Sequence, residues 1–195
     1  PLIYKEIMYQ SKNLMNRSLS QSQRLLHLRA RPKVLLTPNY ETAQNFVKKY
    51  SKNMIGVISD VRFLKKGVKQ SEAGLEFAKW VRSVDSSIPI MLQSTEKKNQ
   101  KIAEEVNADF LHKGSHTLLN DLRRFMVQNF GFGDFIFRLP DNTKVGKAKT
   151  IEEFIQGIEE IPVDSLIYHA KSHHFSNWLA ARTEFGLASK LRPVF

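Results

Sequence analysis

The chain has 195 residues, 42% of them apolar and 13 of them Phe, enough to bury a core in one ordinary domain plus a smaller appendage and to exclude wholesale disorder. Its formal charge of +11 sits wholly in the first 70 residues, where 14 Lys/Arg face only Glu6, Glu41 and Asp60; residues 71–195 hold 16 of each sign. The absence of cysteine excludes disulfides and thiol nucleophiles, and with no apolar run near the ~18 residues of a membrane span and no secretory pattern, a cytoplasmic globular protein is the expectation.

In chain order, Pro1, which reads as a processed or trimmed end, opens a segment free of internal Pro and Gly to about Ala30. Its Ile3, Ile7, Leu14, Leu25 and Leu28 fall mostly on helical spacing. This predicts one long, basic amphipathic helix, ended by Arg31-Pro32 because the residue before proline is driven out of the helical region. A β-type run, Lys33 to Thr37, follows, and Asn39 reads as the N-cap of a helix from Tyr40 to Tyr50. Residues 54–59 (MIGVIS) are apolar on both faces, as strands of a covered parallel sheet are. A loop over residues 61–72 leads to a helix from Ser71-Glu72 through Val81, a strand Ile90 to Leu92, a helix from Glu96 to Val106, a short strand Phe110-Leu111 and a helix from Ser115 to about Phe130. Alternation with short connectors predicts βαβ units and a doubly wound parallel sheet, an α/β domain over residues 1–130.

After Phe130 the texture changes. Phe135 to Arg138 alternates as a strand does, Pro140 to Thr143 is turn chemistry, and Lys144-Val145 completes a hairpin. Thr150 with Glu153 forms a capping box for a helix to Ile161, and helical patterns continue from Asp164 or Ser165 to Leu191. Residues 131–195 are thus expected to be a small α+β appendage. Phe132, Phe135 and Phe137 read as one packed face rather than a base-stacking platform. His169 and His173, four apart with His174 beside them, lack a convincing third ligand and read as surface or capping histidines on a helix whose Phe175 and Trp178 pack inward.

In a doubly wound sheet ligands lie beyond the carboxyl ends of the strands. Asp60 directly follows MIGVIS, Ser94 comes two residues after Leu92, and Lys113 follows Phe110-Leu111-His112. An acid, a hydroxyl and an ammonium converging on one edge suit phosphoryl chemistry, with Asp60 as nucleophile, Ser94 as hydrogen-bond donor and Lys113 as counter-charge. No Walker loop, GxGxxG, GxSxG or HExxH occurs, so NTPase, dehydrogenase, serine-hydrolase and zincin readings have no support.

These stretches (VISD, SEAGLEFAKWVR, IPIMLQST, NADFLHK) resemble the response-regulator receiver domain, a flavodoxin-like fold, over residues 1–130. The resemblance implies an aspartyl phosphate on Asp60, received from a histidine kinase or small phosphodonor, with Mg²⁺ as cofactor. Carried over by motif, Ser94 would be the switch hydroxyl, Lys113 the lysine on the phosphoryl group, and Asp60 with the backbone carbonyl of Arg62 metal ligands. The chain departs from the pattern in having no acidic pair ahead of Asp60, no recognisable first strand, a longer loop after Asp60, and Gly114 where receivers have proline. The residues GFGDFIFRLPDNTKVGKAKTIEEF and IPVDSLIYHAKSHHFSNWLAARTEFGLASKLRP resemble the segment that joins a receiver-like domain to a PEP/pyruvate-binding region related to PEP synthase and pyruvate phosphate dikinase. That implies a non-enzymatic regulatory module serving a downstream catalytic region of the same polypeptide. The alternative is a degenerate receiver acting as an interaction module, its basic first third meeting an acidic partner or nucleic acid. The basic residues match no recognised DNA-reading motif, so nucleic acid is the lesser expectation, and no membrane partner is expected. The long first helix, about 45 Å if continuous, is expected to find a second copy of itself through Leu14, Leu25 and Leu28, or to dock on the appendage.

Overall fold

The computed structural model describes residues 4–10 and 33–192. Residues 4–10 form helix α1; the rest of the predicted first helix, with Leu14, Leu25 and Leu28, lies outside the described residues. The chain divides into two compact units, Val34–Phe125 and a second made from Met126 onward with the N-terminal segment. Among the described residues no helix is long and apolar enough to cross a membrane.

The first unit is built on three parallel strands, β1 (Val57–Asp60), β4 (Ile90–Ser94) and β5 (Asp109–His112), in the order β1-β4-β5. Ile90, Met91 and Leu92 of the central strand are almost fully buried, which explains the apolar run read there. Helices α2 (Tyr40–Tyr50), α3 (Ala73–Val84), α4 (Asn99–Glu105) and α5 (Leu118–Gln128) supply the rest. Asn39 caps α2 as its sequence foretold, its side chain accepting from Thr42 N at 2.9 Å. Val47, Phe77, Ala78, Val81, Ile88 and Ala103 join the strand residues in one core.

Two stretches differ from expectation. Residues 33–37 form no strand, and Leu36 stands 91% exposed. An apolar run becomes a strand only where a ladder receives its backbone, and among the described residues the pairing lies just past its end, where Leu64 N donates to Pro38 O and Asn39 bridges Leu64. Conversely, the predicted loop over residues 61–72 contains an antiparallel hairpin, β2 (Phe63–Lys65) with β3 (Val68–Gln70). Its turn residues Lys66 and Gly67 have φ of 52° and 76°, the paired left-handed conformation of a two-residue hairpin turn. Lysine has no preference for that conformation. What holds it is tertiary: the Glu41 carboxylate of α2 accepts from Lys66 N at 2.9 Å, a bond that lowers the pKa of Glu41.

The second unit is an antiparallel hairpin, β6 (Phe135–Arg138) and β7 (Lys144–Ala148), with helices α6 (Ile151–Glu160), α7 (Val163–Lys171), α8 (His174–Ala181) and α9 (Phe185–Leu191). Thr150 accepts from Glu153 N, and Glu153 in turn accepts from Lys149 N, close to the capping box read from sequence. Phe135, Phe137, Phe154, Phe175 and Trp178 form its core. Gly157 of α6 lies under the Phe137 ring, where a Cβ would come within 2.6 Å of a ring carbon.

Candidate functional site

The register of the parallel sheet places the three sequence-predicted residues at one edge. Asp60 is opposite Gln93, and Ser94 is opposite His112. Beyond the last paired residues the ladder continues through Val61 N to Gln93 O (3.1 Å) and Lys113 N to Ser94 O (2.8 Å). Asp60, Ser94 and Lys113 therefore end neighbouring strands, as the strand-end argument requires.

Lys113 Nζ lies 2.6 Å from Asp60 Oδ1, with both side chains about two-fifths exposed. Oδ1 itself is shielded from solvent and has no hydrogen bond of good geometry beyond this ion pair. The exposure of the Asp60 carboxylate thus belongs to Oδ2. One oxygen is pinned by the ammonium and the other is open, the arrangement a carboxylate nucleophile needs.

Ser94 Oγ accepts two hydrogen bonds, from Glu96 N at 3.1 Å and from Asn99 Nδ2 at 2.9 Å. A hydroxyl has two lone pairs and one hydrogen. With both lone pairs filled, what Ser94 has left to give is its hydrogen. Asn99, at the start of α4 and only 7% exposed, was not singled out in the sequence, where an asparagine five residues after a strand-end serine is the one trace of it and its burial does not show.

Two backbone features support the edge. Gly74 of α3 donates to Val61 O at 2.9 Å, and a Cβ at Gly74 would lie 2.0 Å from the Asp60 carbonyl oxygen, so only glycine lets α3 start this close to the strand end. Arg62, just past Asp60, is ion-paired with Glu96, just past Ser94, and Lys98 shares the same carboxylate at 2.9 Å. These cations lower the pKa of Glu96, Lys98 most of all.

The described residues hold no ready-made cluster of carboxylate ligands for Mg²⁺. A Mg²⁺ site takes one or two carboxylates with phosphate and water oxygens. Here Asp60 already holds Lys113, Glu96 is held by Arg62 and Lys98, and no group of three potential metal ligands occurs among the described residues. The Arg62 carbonyl remains a single neutral ligand.

The second unit gathers other chemistry-bearing side chains and buries His169 and Arg182 among them. His169 is 3% exposed rather than a surface residue, and its neighbour is His174, not His173. Its Nε2 accepts from Arg138 N at 2.8 Å, where the β6–β7 register shifts, so Nδ1 carries the hydrogen and donates to His174 Nδ1 at 3.0 Å. Burial, with like charge from the neighbouring His174 and Arg138, pushes the His169 pKa down to about 3; burial and His173 push His174 down to about 4. His173 occupies the α8 N-cap at φ 55°. Arg182, 5% exposed, lies 3.5 Å from the centre of the Trp178 ring and donates to Gly131 O, Trp178 O and Gly133 O. These residues fasten a core. Phe132, Phe135 and Phe137 are likewise buried, as their alternation predicted, and offer no stacking surface to a base.

Comparison with protein-family models, with curated proteins and with solved structures produced no match.

Proposed function

We propose that residues 34–125 are the receiver-like core of a regulatory module that takes a phosphoryl group on Asp60. The observation that carries the reading is the Lys113–Asp60 ion pair on Oδ1, which leaves Oδ2 open, beside a Ser94 hydroxyl whose hydrogen is unspent. The order β1-β4-β5 with all three residues at carboxyl ends supports a doubly wound, flavodoxin-like sheet in which these are the last three strands. Asp60 Oδ2 attacks the phosphorus of an acyl phosphate or a phosphohistidine. The new O–P bond forms as the donor's P–O or P–N bond breaks, and the carboxylate or imidazole leaves with the electron pair. Lys113 balances the negative charge added at Asp60, and Ser94 donates to a phosphoryl oxygen.

Mg²⁺, implied by the family resemblance, would be held by Asp60 and the Arg62 carbonyl and would offset phosphoryl charge there. The likeness of the tail supports a PEP synthase or pyruvate phosphate dikinase-like region of the same polypeptide as the target of this regulation.

The test is intact-mass measurement after incubation with acetyl phosphate, with and without Mg²⁺. One added phosphoryl group is expected, absent in Asp60→Asn and reduced in Lys113→Ala. An unmutated protein that gains no mass in either buffer removes the reading.

A second reading rests on the first unit's surface, where Leu36 and Val68 stand 91% and 63% exposed and Lys66 and Lys69 are exposed as well. It is an interaction module for an acidic partner. Binding to polyglutamate that weakens steeply with salt, and is lost in a Lys66→Glu, Lys69→Glu double variant, is its expected signature; no binding at low salt disposes of it.

A further inference from the structure

We infer that Asn99 is a positioning residue for the Ser94 hydroxyl, fixing it as a donor toward the Asp60 edge; the inference rests on the reading of that edge given above. Hydrogen-bond polarity sets that role. The side-chain amide of Asn99 donates to Ser94 Oγ at 2.9 Å, and Glu96 N fills the remaining lone pair at 3.1 Å. A serine hydroxyl otherwise rotates among three staggered positions and can spend its hydrogen on any nearby carbonyl. Two inward-pointing donors remove that choice: the hydrogen must point away from both of them.

The arrangement is rigid on the side away from the crevice. Asn99 is 7% exposed, its own N–H donates to Glu96 O at 3.2 Å, and the Glu96 carboxylate is tied to Arg62 and Lys98. The loop from Ser94 to Asn99 is thereby closed on itself through backbone and side chain. The open side of Ser94 is the strand edge it shares with Lys113, whose N–H donates to Ser94 O at 2.8 Å. Ser94 thus differs from an ordinary strand-end serine in that its donor role is set before any phosphoryl group arrives, so no reorientation accompanies the reaction.

Polarity gives a sharp test, because Asn99→Asp keeps the shape and reverses the bond. A carboxylate at position 99 accepts, so the Ser94 hydrogen turns inward and is lost to the phosphoryl group. The rate of phosphoryl addition from acetyl phosphate, read by intact mass, is expected to fall about tenfold in Asn99→Asp, the value of one hydrogen bond to a charged group, and by a similar factor in Ser94→Ala. In Ser94→Ala the further change Asn99→Asp is expected to have no effect, since there is no hydroxyl left to turn. Asn99→Ala, which frees the rotor without reversing it, is expected to fall between, and the unfolding midpoint of each variant separates loss of fold from loss of function. Equal rates for Asn99→Asp and the unmutated protein would mean that the amide accepts from Ser94 and would overturn the inference alone. So would an undiminished effect of Asn99→Asp in the Ser94→Ala background, which would mark it as added negative charge. An unmutated protein that takes no phosphoryl group overturns the site reading itself, and the inference with it.

Discussion

The two compact units use the same polar side chains in opposite ways. In Val34–Phe125, an acid, a hydroxyl and an ammonium end neighbouring strands, half-exposed and with hydrogen-bonding capacity left over. In the unit from Met126 onward, His169 and Arg182 are buried beside Phe135, Phe175 and Trp178, His174 is partly buried against His169, and their hydrogen bonds go to backbone groups or to one another. What separates a candidate reactive group from a structural one here is unspent capacity at a solvent-reachable edge. Residue type alone makes no such distinction: a histidine pair looks more like chemistry in the sequence than a lone serine does.

The contrast can be broken most forcefully at Arg182. Arg182→Ala strips a buried donor from three carbonyls and uncovers the Trp178 ring, and it is expected to cost the second unit about 3 kcal/mol or more. Denaturant unfolding followed by Trp178 fluorescence in a Trp80→Phe background checks this; a loss below about 1 kcal/mol would deny Arg182 its fastening role.

Gly74→Ala strikes the first unit instead. With the Asp60 carbonyl 2.0 Å from the new Cβ, α3 must back away from the strand end, at an expected cost of about 1–3 kcal/mol together with loss of phosphoryl addition at Asp60. Unchanged stability and unchanged mass gain would show that α3 does not set the edge.

Acid separates the units by the next largest margin. His169 is neutral in the fold with a pKa of about 3, while in the unfolded chain it titrates near 6.5. Its contribution is fully present above pH 6.5, and it is lost progressively as pH falls from there toward the folded value. At pH 5 the loss is about 2 kcal/mol for His169 alone, with His174 adding in the same direction. The expected observation is a Trp178-reported unfolding midpoint that drops between pH 7 and pH 5, and an Arg182-fastened core that loosens with it. A flat profile would show that the pair is not buried neutral.

The smallest effect sharpens the comparison from the other side. The Lys113–Asp60 pair is about two-fifths exposed, so Lys113→Ala is expected to change stability by under about 1 kcal/mol while strongly reducing phosphoryl addition. A large stability loss would place Lys113 with Arg182, among the residues that hold the fold.

Much of this was legible along the chain. The apolar run of β4, the Asn39 and Thr150 caps, and the Phe135/Phe137 alternation were read correctly because each depends on neighbours within a few residues, whereas β1 spans only Val57–Asp60 and stays partly exposed rather than covered on both faces. The strand-end positions of Asp60, Ser94 and Lys113 followed from the same local patterns. What the sequence could not supply was any feature that needs a distant partner. Residues 33–37 have strand composition yet take no ladder, and the Lys66-Gly67 turn holds a left-handed lysine through Glu41, 25 residues away. His169 is buried with one ring nitrogen on Arg138 N, at a strand irregularity 31 residues away, and the other on His174. The ion pair on one oxygen of Asp60, the two donors converging on Ser94 and the close approach of Gly74 are likewise products of register and packing. Composition and periodicity fix which surfaces a segment must bury. Only the assembled fold decides which polar atoms are left with a hydrogen, a lone pair or a charge to spend.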